Sequence, residues 1–133
     1  MTNVLALVHD LHHAIESGAH GKELRPFFTD DAVTVEHPNL ISPQGRTSPL
    51  DQMLAASTTG TGLLSKQRYE VWDEAVLVDT AIVRLTWTGT VAANVGPFRA
   101  GQELTAHIAQ FVTTRDDRIS RIETYDCYEP FDA

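Results

Sequence analysis

The chain has 133 residues, enough for one domain that buries its core without disulfides or metals. Its formal charge is −8, and no basic stripe with interleaved aromatic residues occurs, so nucleic acid is not expected as a partner. The single cysteine, Cys127, excludes an intrachain disulfide and a cysteine metal cluster. We therefore expect one domain over residues 1–133, with no metal and no cofactor.

The amino-terminal stretch gives no sign of export or membrane insertion. Residues 4–8 are apolar, but they lack the basic start and the long apolar run of a signal peptide. No segment approaches the roughly 20 apolar residues that span a bilayer. These observations predict a soluble, cytoplasmic protein without a membrane partner.

The first part of the chain carries the pattern of two helices. Apolar residues recur at helical spacing over residues 4–15, and Asn3 is placed to cap that helix. Ser17 and Gly18 are typical of its end. A second, short helix is expected at about residues 21–28.

A third helix is expected to begin at residues 48–50, where a proline follows a possible serine cap. The threonine- and glycine-rich residues 58–62 are expected to form the loop that follows it. Gly60-Thr61-Gly62 lacks the lysine and the spacing of a phosphate-binding loop.

Between these helices, residues 33–37 alternate as a strand does. Val33, Val35 and His37 share one face, and Thr34 and Glu36 share the other. Because the apolar face of a strand is usually the buried one, this pattern predicts that His37 ends a core-facing row and points into a pocket.

The second half of the chain is dominated by strand patterns, and we expect strands over residues 67–73, 75–93, 103–114 and 119–127. One face of the longest strand is apolar and consists of Ala81, Val83, Leu85 and Trp87. Helices followed by antiparallel strands predict an α+β fold with helices on one face of a curved sheet. Strong bending would leave a cavity between the sheet and the helices.

Several of these motifs together resemble the nuclear transport factor 2-like superfamily, and its SnoaL-like branch in particular. They are the Phe-x-Asp-Asp-Ala turn at residues 28–32, the strand that ends in His37-Pro38, and the meander that ends in residues 119–128. The resemblance covers essentially the whole chain. It implies a cone-shaped, mostly antiparallel sheet with about three amino-terminal helices on its concave face, and a homodimer formed through the convex sheet face.

The resemblance also implies candidate site residues. Residues 34–38 are similar to the ketosteroid isomerase segment that carries the general base, so His37 stands at the base position. His12 falls near the tyrosine of that enzyme's oxyanion hole. The protonated aspartate of the next-to-last strand falls on His107 or on Ala109, depending on how the following turn is aligned.

On the last strand, Thr124 and Asp126 share a face, where SnoaL-like cyclases and limonene epoxide hydrolase carry acidic residues. Two departures count against the activities of the best-known members. A histidine replaces the aspartate base of the isomerase, and residues 84–86 lack the carboxylate of the hydrolase.

The chemistry that these residues support is proton transfer at carbon, which needs a base, a donor for the developing oxyanion and exclusion of water. His37 is the predicted base, His107 or His12 the donor, and Asp126 a second acid or base. Ligand-contacting walls are expected from Tyr69, Trp72, Trp87 and Thr124.

The sequence is compatible with two functions. One is a cofactor-independent isomerase, cyclase or dehydratase that acts on a small apolar carbonyl or hydroxy compound. The other is a non-catalytic ligand-binding or dimerisation domain, in which the histidines only support the structure. Convergence of His37 with Asp126 or His107 in one pocket would favour the enzyme.

Overall fold

The computed structural model describes residues 3–131. Its elements are α1 (Val4–Glu16), a 3-10 helix (Gly21–Phe27), β1 (Phe28–Glu36), β2 (Arg46–Pro49), α2 (Leu50–Leu63), β3 (Leu64–Leu77), β4 (Thr80–Val91), β5 (Glu103–Arg115) and β6 (Arg118–Tyr128). No helix among these residues is long and apolar enough to cross a membrane.

The six strands form one curved, unclosed sheet in the order β2-β1-β6-β5-β4-β3. Strands β1 and β6 run parallel, and the other neighbours run antiparallel. The helices pack on one face of this sheet, and the buried core lies between the two layers. The predicted α+β fold, with three helices on a curved and mostly antiparallel sheet, is confirmed.

Helix α1 begins and ends where the sequence indicates. The Asn3 side chain accepts hydrogen bonds from the backbone N–H groups of Leu5 (3.0 Å) and Ala6 (3.3 Å), which satisfies two donors that the first turn leaves unpaired. The helix ends before Gly18, whose φ of 93° is a conformation that glycine adopts without strain. Val8 and Leu11 are buried against the sheet.

Helix α2 differs from its prediction at both ends. Ser48 belongs to β2 and does not cap the helix, and the predicted loop over residues 58–62 is helical. Within it the Thr59 hydroxyl donates to the Ala55 carbonyl (3.3 Å) and the Thr61 hydroxyl donates to the Ser57 carbonyl (3.0 Å). These hydroxyls are satisfied inside the helix, so their abundance does not end it.

The predicted strand over residues 75–93 is in fact two strands. A two-residue turn at Val78 and Asp79 separates β3 from β4, with Leu77 paired to Thr80. Val78 has a φ of 58°, which is unusual for a β-branched residue, so the sequence carries no ordinary turn signal there. The predicted apolar face is confirmed, since Ala81, Val83 and Leu85 are completely buried.

Candidate functional site

A cavity of about 390 Å³ lies between the helices and the concave face of the sheet. Most of its wall is apolar, which is typical of a site for a small organic molecule. Its wall also contains polar side chains, among them His12, Thr34, Glu36, Arg46, Ser48, Tyr69, Gln110, Thr124, Asp126 and Tyr128.

The phase of β1 is opposite to the predicted one. Thr34 and Glu36 line the cavity, whereas His37 lies on the other sheet face. The His37 Nε2 atom is 2.7 Å from Glu123 Oε2, and its ring stacks on Tyr125 with 4.2 Å between the ring centres. The prediction that His37 points into the pocket is therefore wrong, because this strand turns its polar row towards a cavity rather than towards a closed apolar core.

Two further predicted site residues lie outside the cavity. His107 alternates with the cavity-lining Ile108, and its Nε2 atom is 2.9 Å from Glu129 Oε2 on the exposed side. Trp72 is 57% exposed and lies 4.4 Å beneath the Arg84 guanidinium. His37, His107 and Asp126 consequently do not converge, as the acid–base prediction required.

Asp126 is the predicted catalytic residue that lines the cavity. The Thr124 hydroxyl donates to Asp126 Oδ1 at 2.5 Å. Desolvation raises the pKa of the Asp126 carboxyl above its ordinary value; the Thr124 hydrogen bond opposes this shift and the nearby Glu36 adds to it. No cation among residues 3–131 forms an ion pair with Asp126. The result is a carboxyl group whose proton is retained to a higher pH than usual.

Two tyrosines supply neutral hydroxyl groups to the same cavity. Burial, followed by the charge of Asp126, raises the pKa of both Tyr69 and Tyr128, so both phenols stay protonated near neutral pH. Neither hydroxyl has a hydrogen-bond partner within residues 3–131. Tyr128 was missed by the sequence reasoning, although the alternation from Thr124 through Asp126 would have found it.

His12 lines the cavity, as expected, but its ring is already engaged by a stacking contact and a hydrogen bond. Its ring stacks on Tyr69 at 4.2 Å between ring centres and 7° between planes. Its Nε2 atom lies 3.2 Å from Gln110 Oε1, an acceptor, so Nε2 carries the proton. Burial lowers the pKa of His12 to about 4, so the imidazole is neutral at pH 7.

Beside the β1–β2 pair, the cavity wall holds a second polar region that the sequence reasoning missed. Thr34 pairs with Ser48 across the two strands, and the buried Thr34 hydroxyl has no hydrogen-bond partner in the described part of the chain. The Asn39 amide donates to Glu36 Oε2 at 2.8 Å, and Arg46 Nη2 lies 3.8 Å from Glu36 Oε1. A ligand with a polar group could satisfy the Thr34 hydroxyl.

Trp87 and Tyr69 line the cavity as predicted. The indole Nε1–H of Trp87 donates to Gln67 Oε1 at 3.1 Å. The indole also lies against the backbone of Gly89, where an added Cβ atom would come within 2.4 Å of the ring. Glycine at position 89 thus lets the indole lie flat along the cavity wall.

The other histidines of α1 are engaged individually. His9 Nε2 lies 2.8 Å from Glu74, and His13 Nδ1 lies 3.4 Å from Glu16. Within residues 3–131 no group of three histidine, cysteine, aspartate or glutamate side chains is placed to hold a metal ion.

An α+β domain with a curved sheet, helices on one face and a polar-lined cavity between them is a recurrent design among known structures. No protein-family model matches this chain, and no curated protein sequence does. IdmH of Streptomyces antibioticus, a proposed polyketide cyclase, superposes with a TM-score of 0.76 at 19% identity, over 93% of this chain and 91% of IdmH.

Two further structures show the same architecture. AclR of Streptomyces galilaeus, a proposed hydroxylase, superposes with a TM-score of 0.73 at 14% identity, over 92% of this chain and 87% of AclR. A hypothetical protein from Catenulispora acidiphila, solved with trimethylamine, has a TM-score of 0.70 at 16% identity, over 90% and 83% of the two chains.

The chain therefore has the fold of these structures, which is the ketosteroid isomerase-like or nuclear transport factor 2-like fold. SnoaL-like polyketide cyclases also occur among the matching structures. The resemblance found in the sequence is confirmed at the level of the fold. The sequence identities are low, and one of these proteins is a proposed hydroxylase whereas another is a proposed cyclase. The reaction therefore has to be argued from the site itself.

Gly89→Ala should disturb the cavity wall. The new Cβ atom would overlap the Trp87 indole, so the ring must move and its hydrogen bond to Gln67 must break. We expect a loss of about 1–3 kcal/mol in the free energy of unfolding, measured by urea denaturation, and a changed Trp87 fluorescence spectrum. Gly60→Ala is the matched control, since a Cβ atom there meets nothing within 4 Å. Equal behaviour of the two variants would contradict the proposed packing.

His12 should make the protein less stable in mild acid. Its folded pKa is about 4 and its ordinary value is 6.5, so the unfolded chain binds the extra proton first as the pH falls. Between about pH 7 and pH 5 this linkage should remove about 2 kcal/mol from the free energy of unfolding. The raised pKa of Asp126 has the opposite effect on the free energy of unfolding, and it is present in the wild type and in a His12 variant alike.

His12→Phe keeps a ring on Tyr69 but cannot titrate. Its free energy of unfolding, measured by urea denaturation, should fall less than that of the wild type between the same two pH values. His20→Phe is the control, because it removes an imidazole that lies outside the cavity, together with the contact of 3.1 Å between His20 Nδ1 and Thr58 Oγ1. A His12→Phe protein with the wild-type pH dependence would show that His12 is not buried in its neutral form.

Proposed function

We propose that this protein binds a small, mostly apolar carbonyl or hydroxy compound in the cavity and moves a proton on it without a cofactor, as an isomerase, cyclase or dehydratase does. The observation that carries the proposal is the Asp126 carboxyl group. It is desolvated, its pKa is raised, and no cation pairs with it within residues 3–131. Perturbed carboxyl groups in clefts are characteristic of acid–base sites.

The surrounding groups suit a proton abstraction next to a carbonyl. Thr124 donates to one oxygen of Asp126 and so fixes the orientation of the carboxylate, which leaves Oδ2 free to accept a proton from carbon. The electron pair of the broken C–H bond moves into a new C=C bond, and the carbonyl oxygen becomes negatively charged. A hydroxyl donor from Tyr69 or Tyr128 would stabilise that charge, since both phenols are protonated and have no hydrogen-bond partner within residues 3–131.

The fate of the resulting enolate decides the reaction type. Return of the proton from Asp126 to a different carbon isomerises the compound. Attack of the enolate carbon on a second carbonyl closes a ring, and the oxygen of that carbonyl takes the proton back from Asp126. Departure of a neighbouring hydroxyl group, protonated by Asp126 as it leaves, is a dehydration. Each route starts from the same proton transfer, so one assay tests all three.

A non-catalytic ligand-binding role is the second candidate, and a specific observation favours it. His37 and His107 lie outside the cavity, and His12 is held neutral by burial, so the histidine base of the sequence prediction is missing from the pocket. In this case Asp126 and the tyrosines would only orient a ligand. A cytoplasmic location stays a prediction of the sequence.

Asp126→Asn should abolish proton abstraction. We expect the wild type to catalyse deuterium incorporation next to the carbonyl of a small ketone such as 2-tetralone in D₂O, followed by proton NMR. The variant should lose about 10²- to 10⁴-fold of this rate. Because the base is the ionised carboxylate, the wild-type rate should rise with pH through a pKa above the ordinary aspartate value of 3.8.

The control is Asp10→Asn, which removes the same charge from an exposed position of α1 and should leave the rate unchanged. Tyr128→Phe should lower the rate while keeping the pH profile, since it removes a donor and not the base. Wild-type protein that binds ketones without exchange above the buffer rate would contradict catalysis of proton transfer and support the binding role.

We also propose that two copies associate through the convex face of the sheet. Tyr125 is 46% exposed there, stacks on His37 and contacts Phe111 edge-on at 5.9 Å between ring centres. Sedimentation velocity at micromolar concentration should give the mass of a dimer. Tyr125→Lys should shift it towards the monomer, whereas Leu40→Lys, a substitution at a loop residue that is 57% exposed, should not. A wild-type monomer at these concentrations would contradict the proposed dimer.

A further inference from the structure

The charges that line the cavity are unbalanced. Glu36 and Asp126 are acidic, and Arg46 is the one lysine or arginine that reaches the cavity within the described residues. The Arg46 side chain is 56% exposed, and its Nη2 atom lies 3.8 Å from Glu36 Oε1. The one positive charge is thus at the margin of the cavity and is already matched by Glu36.

The remaining polar groups do not supply a positive charge. His12 is neutral at pH 7, and its one N–H near the cavity, on Nε2, already donates to Gln110. Tyr69 and Tyr128 offer hydroxyl donors, but these are uncharged. A ligand anion would therefore be transferred from water to an apolar wall beside two carboxyl groups, where the described residues offer no positive charge that is not already matched by Glu36. The net charge of −8 opposes its approach as well.

We propose that this cavity selects uncharged ligands and excludes anions, so that a compound is accepted as its ketone, alcohol, ester or amide and rejected as its carboxylate, sulfonate or phosphate. The inference rests on the proposed function, since it concerns the ligand of the same site. It also restricts that function. The reaction that supplies the substrate must deliver a molecule without acidic groups, or with those groups converted to esters or amides.

A matched pair of fluorescent probes tests the inference. N-phenyl-1-naphthylamine is uncharged, and 8-anilino-1-naphthalenesulfonate is the same ring system with one sulfonate added. Both brighten in apolar surroundings. We expect the uncharged probe to bind the wild type at neutral pH at least about tenfold more tightly than the sulfonate, which corresponds to about 1.4 kcal/mol.

Variants separate charge from size. The double substitution Asp126→Asn and Glu36→Gln keeps the shape of the wall and removes its two carboxyl groups. The ratio between the affinities for the two probes, here called the gap, should become several-fold smaller. Asp10→Asn removes a carboxylate from the exposed face of α1 and should leave the gap unchanged. Ala56→Phe places a ring inside the cavity and should weaken both probes if they bind there; circular dichroism checks that it folds.

Each outcome has a separate meaning. Equal affinity for both probes, lost in Ala56→Phe, would overturn the charge selection and leave the proposed ligand binding intact. A gap that survives the double substitution would assign the exclusion to the size of the sulfonate and would also overturn it. Binding of neither probe would contradict the proposed function itself, because the cavity would then not take an apolar molecule of this size.

Discussion

The properties of the site depend on one half-buried carboxyl group that forms no ion pair with a cation among residues 3–131. Asp126 is held by the Thr124 hydroxyl inside a mostly apolar wall, and its pKa is raised because the charged form is poorly solvated there. A fold selected only for stability would pair this group or replace it with an amide. Its place in a cavity beside two phenols that have no hydrogen-bond partner within residues 3–131 is the observation on which the proposed proton transfer rests.

The curved sheet makes this arrangement possible. Strand alternation sends Thr124 and Asp126 to the concave side, and the opposite neighbours Glu123 and Tyr125 to the convex side, where they contact His37. The two faces of one strand therefore serve different purposes. Helix α1 completes the cavity by placing His12 flat on Tyr69, which fixes the wall and keeps the imidazole uncharged.

The fold was accessible from the sequence, and the site only in part. The spacing of apolar residues and the Asn3 cap located α1, and alternation located the strand segments, because these signals depend only on residues that are close in sequence. The phase of β1 was wrong because "apolar side inward" holds for a closed core, whereas a cavity wall needs Thr34 and Glu36. The turn at Val78 gave no signal, since its conformation is imposed by the pairing of β3 with β4. Asp126 lines the cavity because the phase of β6 follows the pattern that residues 119–128 share with SnoaL-like sequences; its chemical role stays a prediction.

The position of β6 has a consequence for how the protein is made. It is the last of the six strands, yet it lies between β5 and β1, and its parallel pairing joins Thr124 to Glu36 across about two thirds of the sequence. During synthesis the helices and first strands emerge long before their central neighbour. One edge of β1 therefore stays unpaired until β6 has been made, and loop-closure entropy slows this long-range pairing. Because Asp126 lies on β6, the acidic residue of the cavity and the strand that joins β5 to β1 are made together.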